Sequence, residues 1–118
     1  MPSTRLAELA HARSGDKGSS ANVGVIAYTP AGYDFLREHL TADRVEQFFA
    51  PMGVGKVVRY ELPNLGALNF ILPNILNGGG SINLRIDAQG KALGQALLEL
   101  VLDVPEELLQ NSAEIGPR

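Results

Sequence analysis

His11-Ala12-Arg13-Ser14-Gly15-Asp16-Lys17-Gly18-Ser19-Ser20-Ala21-Asn22 runs directly into Val23-Gly24-Val25-Ile26-Ala27-Tyr28. The two halves follow different rules. The first crowds glycine, serine and charged residues together, and such a cluster reads as a loop from Ala12 to Ala21 by its turn chemistry. The second, Asn22 to Tyr28, is apolar on nearly both faces. That is expected of a central strand covered on both sides. Gly24 in its interior predicts a bulge or a close backbone approach.

Upstream, Leu6, Ala7, Leu9 and Ala10 predict a strand over Arg5 to His11. Downstream, Thr29-Pro30 ends the central strand and the period becomes helical. Phe35, Leu36 and Leu40 form one stripe and Val45, Phe48 and Phe49 another, with Thr41 and Asp43 between them as an N-cap region. Two helices, or one bent helix, are expected before Pro51, Gly53 and Gly55 break the chain.

Lys56 to Leu62 alternates as a strand, with Val58, Tyr60 and Leu62 on one face and Arg59 and Glu61 on the other. After Pro63, Asn64 is placed to cap a short helix carrying Leu65, Leu68, Ile71, Leu72 and Ile75. Gly78-Gly79-Gly80 is a break. Ser81 to Ile86 alternates again, and Asp87 is a plausible cap for a helix built on Leu93, Ala96, Leu97, Leu100 and Val101. Val101 to Val104 can form a last short strand. The polar stretch 105–118 reads as a tail beyond a domain of residues 1–104. This order implies an α+β chain with a mixed or mainly antiparallel sheet and helices on one face.

The 118 residues suffice for one domain, and an apolar share of 45% can build a continuous core without staples. The absence of cysteine excludes disulfides and thiol nucleophiles. Net charge is -3 with no basic run, so no nucleic-acid partner is expected. No apolar run reaches the ~20 residues of a membrane span, and Met1 to Arg5 opens no apolar leader. No membrane partner is expected, and the cytoplasm is the default location.

The chemistry concentrates at the first stretch. Arg13 and Lys17, the flexible Gly15 and Gly18, and the hydroxyls of Ser14, Ser19 and Ser20 suit an anion-binding nest for phosphate, pyrophosphate or carboxylate. The alternative is a solvated turn. No Walker A pattern is present. His11, Ser14 and Asp16 have the residue types of a nucleophilic triad but are crowded into six positions. His11 can serve as a general acid or base if it faces a pocket. His11 and His39 have no metal-ligand spacing, so no metal is expected. A second candidate surface is the polar sheet face, where Arg59 and Glu61 would lie beside Asn83 and Arg85 if their strands pair.

Three stretches resemble a known family. His11-Ala-Arg-Ser-Gly-Asp-Lys-Gly with Ser20-Ala-Asn22-Val-Gly-Val-Ile-Ala resembles the C-terminal domain of the acyclic terpene utilisation protein AtuA family. Arg59-Tyr-Glu-Leu-Pro-Asn64-Leu-Gly-Ala-Leu-Asn69-Phe is similar to its second signature, and Gly78-Gly-Gly-Ser with Leu84-Arg-Ile-Asp87-Ala-Gln-Gly90-Lys91 to its third. The resemblance runs from Leu6 to Leu100. It implies a ferredoxin-like α+β fold. In larger members this domain follows a bigger N-terminal one, so the resemblance implies a stand-alone version here.

The family is linked to breakdown of acyclic terpenoids and related acids through CoA thioesters. The resemblance supplies no catalytic residue. It implies a small accessory subunit of an acyl-CoA-processing enzyme that pairs with a separately encoded larger AtuA-type chain, with a CoA thioester as the ligand to test. The alternatives are a non-catalytic oligomerisation module, consistent with an expected homo-oligomer, and an independent hydratase or hydrolase. The expected ligand-binding residues are His11, Arg13, Ser14, Asp16, Lys17, Gly18, Ser20 and Asn22, with Arg59 and Asn64 as neighbours.

Overall fold

The polar stretch at the start of the chain is a β-hairpin, not a loop. In the computed structural model, which describes residues 3–17, 19–75 and 91–108, β2 (Ala10–Lys17) pairs antiparallel with β3 (Ser20–Ala27) from Ala10↔Ala27 to Lys17↔Ser20. Only positions 18 and 19 are left for the reversal, the shortest common hairpin connection. The expected loop over Ala12 to Ala21 therefore collapses to two residues. Polar residues are tolerated in β2 because they alternate with small ones: His11 and Arg13 are exposed, while Ala12 and Ser14 turn towards the helices.

Ahead of the hairpin, the strand expected over Arg5 to His11 is interrupted. β1 (Ser3–Arg5) gives way to a 3-10 turn, Leu6–Glu8, before β2 begins. Leu6 and Leu9 are both fully buried. Three positions apart on a strand they would face opposite ways, and one helical turn puts both inside.

Two helices follow, as the stripes require: α1 (Pro30–His39) and α2 (Ala42–Phe49). Thr29 Oγ1 accepts from the Gly32 N–H at 2.9 Å and Thr41 Oγ1 from the Arg44 N–H at 3.1 Å, so each helix has a hydroxyl N-cap. After the 3-10 turn Ala50–Met52, Gly53 adopts φ +82° and the chain enters β4 (Val58–Leu62).

The helix expected after Asn64 is a strand. The turn Pro63–Leu65 ends at Gly66, with φ +61°, and β5 (Ala67–Leu72) runs between β3 and β4. Leu68, Phe70 and Leu72 are buried. Short apolar runs satisfy helical and strand periods at once, and here the open backbone ladders of β3 and β4 decide the matter.

The main sheet has the order β2-β3-β5-β4, with every pair antiparallel. One face carries Ala21, Val23, Val25, Leu68, Phe70 and Leu72 into the core. All the described helices, including α3 (Lys91–Leu97), pack there through Leu36, Val45, Phe49, Leu93 and Leu97. β3 is central, but it is covered on one side only, because Asn22, Gly24 and Ile26 point away from every described helix. Gly24 keeps regular register with Arg13 and Asn69, so no bulge forms.

α3 is shorter than its stripe suggests. Leu100 sits in the connection, and Val101 opens β6 (Val101–Asp103), which pairs with β1 in a separate two-stranded sheet. The result is an α+β chain with antiparallel sheets and helices on one face. The expected glycine break at 78–80, the strand Ser81 to Ile86 with Asn83 and Arg85, and the Asp87 cap lie outside the described residues.

Candidate functional site

Strand register builds the uncovered face of the main sheet. Residues paired across an antiparallel ladder share a face, which gives three rows. His11, Ile26, Ala67 and Leu62 form the first; Arg13, Gly24, Asn69 and Tyr60 the second; Gly15, Asn22, Ile71 and Val58 the third.

The middle of this face is a shallow groove of about 330 Å³, lined by Arg13, Gly15, Asn22, Gly24, Ile26 and Asn69 among others. Its floor is low because Gly15 and Gly24 have no side chains. A Cβ at position 15 would stand 3.3 Å from Asn22 Oδ1; at position 24 the nearest atoms are 3.9 Å away. Asn22 Nδ2 donates to Asn69 Oδ1 at 3.3 Å, tying the amides of two neighbouring strands together. The pair keeps one carbonyl oxygen and one NH2 group able to meet a ligand.

Arg13 is exposed and has no ion-pair partner among the described residues. On the other side the groove is apolar: Ile26, Leu62 and Leu65 line it, and Leu65 is 67% exposed. The arrangement offers a guanidinium and two amides at one end and hydrocarbon at the other. That suits a molecule with an anionic or carbonyl group on an apolar body.

The remaining expected site residues are dispersed. His11 lies at the end of the same face, its ring 5.7 Å from that of Tyr28. Ser20 lines a smaller hollow beside Asn22 and Ile71. Ser14 borders the groove, but its side chain faces the helices, where Oγ accepts from the Gly94 N–H at 3.3 Å. His11 and Ser14 thus sit on opposite faces of β2 and cannot serve one nucleophilic site. The side chains of Asp16 and Lys17, and all of Gly18, lie outside the described residues.

Arg59 also faces the helices. It donates to the carbonyls of Arg37 at 2.8 Å and Leu40 at 3.0 Å and to the Glu61 carboxylate at 3.0 Å, closing the C-terminal end of α1. The face holding Arg59 and Glu61, expected to be the open polar one, is the helix-covered one. The apolar Val58, Tyr60 and Leu62 look outward instead, at 42%, 54% and 39% exposure. Asn64 lines a separate cavity of about 480 Å³ with Tyr28, Tyr33 and Asp34, on the far side of the turn Pro63–Leu65. His11, Asn22, Arg59 and Asn64 therefore do not meet in one pocket.

A family model described as the AtuA ferredoxin-like domain matches residues 4–103, most of the chain and both described signatures. The chain belongs to the AtuA ferredoxin-like domain family. No curated protein and no solved structure matches it. Membership accords with the ferredoxin-like α+β architecture. Strand register and hydrogen bonding place the residues of the signatures differently. In the first, Arg13, Gly15, Asn22, Gly24 and Ile26 build the groove and Ser14 anchors a helix. In the second, Arg59 holds α1 while Asn69 completes the amide pair.

Asn69, Gly24, Tyr60, Leu62 and Leu65 were not among the expected ligand-binding residues. Asn69 was hidden because its segment carries helical spacing; only the β3–β5 register places it beside Asn22. Among the described residues no three His, Cys, Asp or Glu side chains gather to hold a metal ion, and no helix is long and apolar enough to cross a membrane.

Proposed function

We propose that this AtuA-type domain is an accessory module of acyl-CoA-processing chemistry in the breakdown of acyclic terpenoids or related acids. It binds an anionic ligand with an apolar body on the open face of its sheet. The observation that carries this reading is Arg13, without an ion-pair partner among the described residues, beside the Asn22–Asn69 amide pair, above a glycine floor and facing Ile26, Leu62 and Leu65. The guanidinium and amides would hold a carboxylate, phosphate or thioester end, and the apolar wall would take a branched chain. The chemistry itself would be supplied by a separately encoded larger AtuA-type chain.

The test is isothermal titration of the chain with CoA thioesters of branched acids, repeated with Arg13→Ala and Lys17→Ala. Binding that weakens with Arg13→Ala supports the reading. Absence of binding, or affinity unchanged from the parent chain in both variants, sinks it.

A second reading is favoured by Val58, Tyr60, Leu62 and Leu65, large apolar residues left open on one face. A surface of this kind suits a protein contact, either a second copy of the chain or the larger AtuA-type chain. Light scattering decides between a monomer and an oligomer. Leu62→Lys should dissociate an oligomer that uses this face and leave one that does not use it intact.

A further inference from the structure

β4 is an edge strand, and among the described residues only β5 pairs with it. Its five residues run in unbroken register and include no proline, lysine or bulge, three devices that blunt such an edge. Four of the five are exposed, whereas four of the six in β5 are buried.

The ladder fixes which backbone groups point outward. The Ala27 N–H donates to the Gly66 carbonyl at 2.9 Å, in line with the β3–β5 register. Hydrogen-bonded pairs recur at every second residue. The even-numbered residues of β5 therefore bond β3, and Ala67, Asn69 and Ile71 bond β4 through Leu62, Tyr60 and Val58. The N–H and C=O groups of Arg59 and Glu61 are left pointing outward, with no backbone partner among the described residues.

A second copy of the chain answers them with the same two residues. In an antiparallel pairing about a two-fold axis, the outward groups meet only where odd positions stand opposite odd ones. Arg59 opposite the partner's Arg59, or Glu61 opposite the partner's Glu61, sets like charges together. Arg59 opposite the partner's Glu61 sets opposite charges together twice over. That register also puts Tyr60 opposite the partner's Tyr60 on the axis and Val58 opposite the partner's Leu62. The other edge of the sheet offers no such match. The Tyr28 N–H donates to the Leu9 carbonyl at 2.9 Å, so the outward positions of β2 are Ala10, Ala12, Ser14 and Asp16, an acid and no base.

We propose that two copies of this chain join through their β4 strands, antiparallel and centred on Tyr60, merging two four-stranded sheets into one. Main-chain hydrogen bonds along the shared edge supply affinity, and the crossed Arg59 and Glu61 pairs fix the register. The axis stands perpendicular to the sheet, so both open faces look the same way. The row of Arg13, Gly24, Asn69 and Tyr60 continues across the axis and ends at the partner's Arg13. The contact stands whether or not the groove takes an anionic ligand. It also differs from packing through the open face, since Glu61 lies on the helix-covered side of β4 and Leu65 lines the open groove.

Sedimentation equilibrium of the full chain over a wide concentration range should show a monomer–dimer equilibrium. Glu61→Arg puts like charges opposite Arg59 twice over and should weaken the dimer by about tenfold or more, with folding checked by the thermal transition. Leu65→Lys should leave the dimer unchanged. A monomer throughout overturns the proposal. So does a dimer that survives Glu61→Arg or is lost in Leu65→Lys, the result for open-face packing.

Cross-linking reads the register, because the chain has no cysteine of its own. Tyr60→Cys should give a disulfide-linked dimer under mild oxidation: facing residues of a non-hydrogen-bonded pair have Cα atoms about 4.5 Å apart, within disulfide reach. Leu62→Cys alone should not, because its two copies stand four positions apart, roughly 13 Å. Mixed with Val58→Cys, it should. Equal cross-linking of Tyr60→Cys and of Leu62→Cys alone overturns the proposal.

Discussion

Ser14 and Gly94 touch across eighty positions of sequence: Ser14 Oγ accepts the Gly94 N–H at 3.3 Å, and a Cβ on Gly94 would stand 3.3 Å from that same oxygen. Strand β2 and helix α3 thereby approach closely enough that a side chain at position 94 would press on Ser14 and Ala12.

This contact makes Ser14 a structural member of the first signature. Ser14→Ala should lower unfolding stability by about 1 kcal/mol, the usual net worth of one such bond. Gly94→Leu should cost more, about 1–3 kcal/mol, because it overfills a close approach. Denaturant midpoints measure both. Affinity for a CoA thioester should stay the same in Ser14→Ala; a loss of binding at unchanged stability would return Ser14 to the ligand site.

Arg59 is predicted to matter for α1 and not for a ligand. Its guanidinium spans two backbone carbonyls and a carboxylate, and its side chain is only 18% exposed. Arg59→Met keeps the aliphatic stem and removes the fork. The expected loss is on the order of 1–3 kcal/mol for charge-assisted bonds at a helix C-terminus. Arg59→Lys should recover part of it, since one ammonium cannot reproduce the planar fork. Thermal unfolding read by circular dichroism checks the order wild type, Lys, Met.

Gly24 separates the groove from the fold. A side chain there meets nothing closer than 3.9 Å, and valine is a good strand residue. Gly24→Val should therefore leave stability unchanged or raise it by roughly 0.5 kcal/mol, while its methyl groups fill the floor beside Arg13 and Asn69. Calorimetric titration should show binding lost in a well-folded variant. Retained binding would move the ligand elsewhere.

The two threonine caps should differ. Thr29 is buried and Thr41 exposed, although each accepts one N–H. Thr41→Ala should cost about 1 kcal/mol, the value of a cap alone. Thr29→Ala should cost more, because it also leaves space in packed surroundings. Equilibrium unfolding of the pair measures the difference.

The helix pair and the Thr41 cap were legible because Phe35, Leu36, Leu40, Val45 and Phe49 repeat over a length no strand would use, and Thr41 sits at the change of stripe; the Thr29 cap was not, because Thr29-Pro30 read only as the end of a strand. β4 was legible by alternation. Its orientation was not: alternation separates Val58, Tyr60 and Leu62 from Arg59 and Glu61 without saying which set faces the helices. Hydrophobicity points the wrong way here, since Arg59 goes inward to bond the end of α1. The β5 segment was misread because Leu65, Leu68, Ile71 and Leu72 satisfy a helical period, and only the ladders to β3 and β4 break the tie. The first signature was recognised as special, but turn chemistry alone could not show that Gly15 lies flat within a strand. Asn69 stayed hidden for the same reason as β5.

The β2–β3 hairpin also acts as a parity code. Along β2, odd positions from His11 to Gly15 belong to the open face, and the even positions Ala12 and Ser14 to the helix-covered one. A single inserted or deleted residue before Ala12 would invert that assignment for every position up to the turn. Arg13 would be driven against α3, and Ser14 would be stranded on the groove. The spacing between His11 and Asn22 is thus under tighter physical restraint than the identity of most residues within it. Natural variation in length should collect outside this segment.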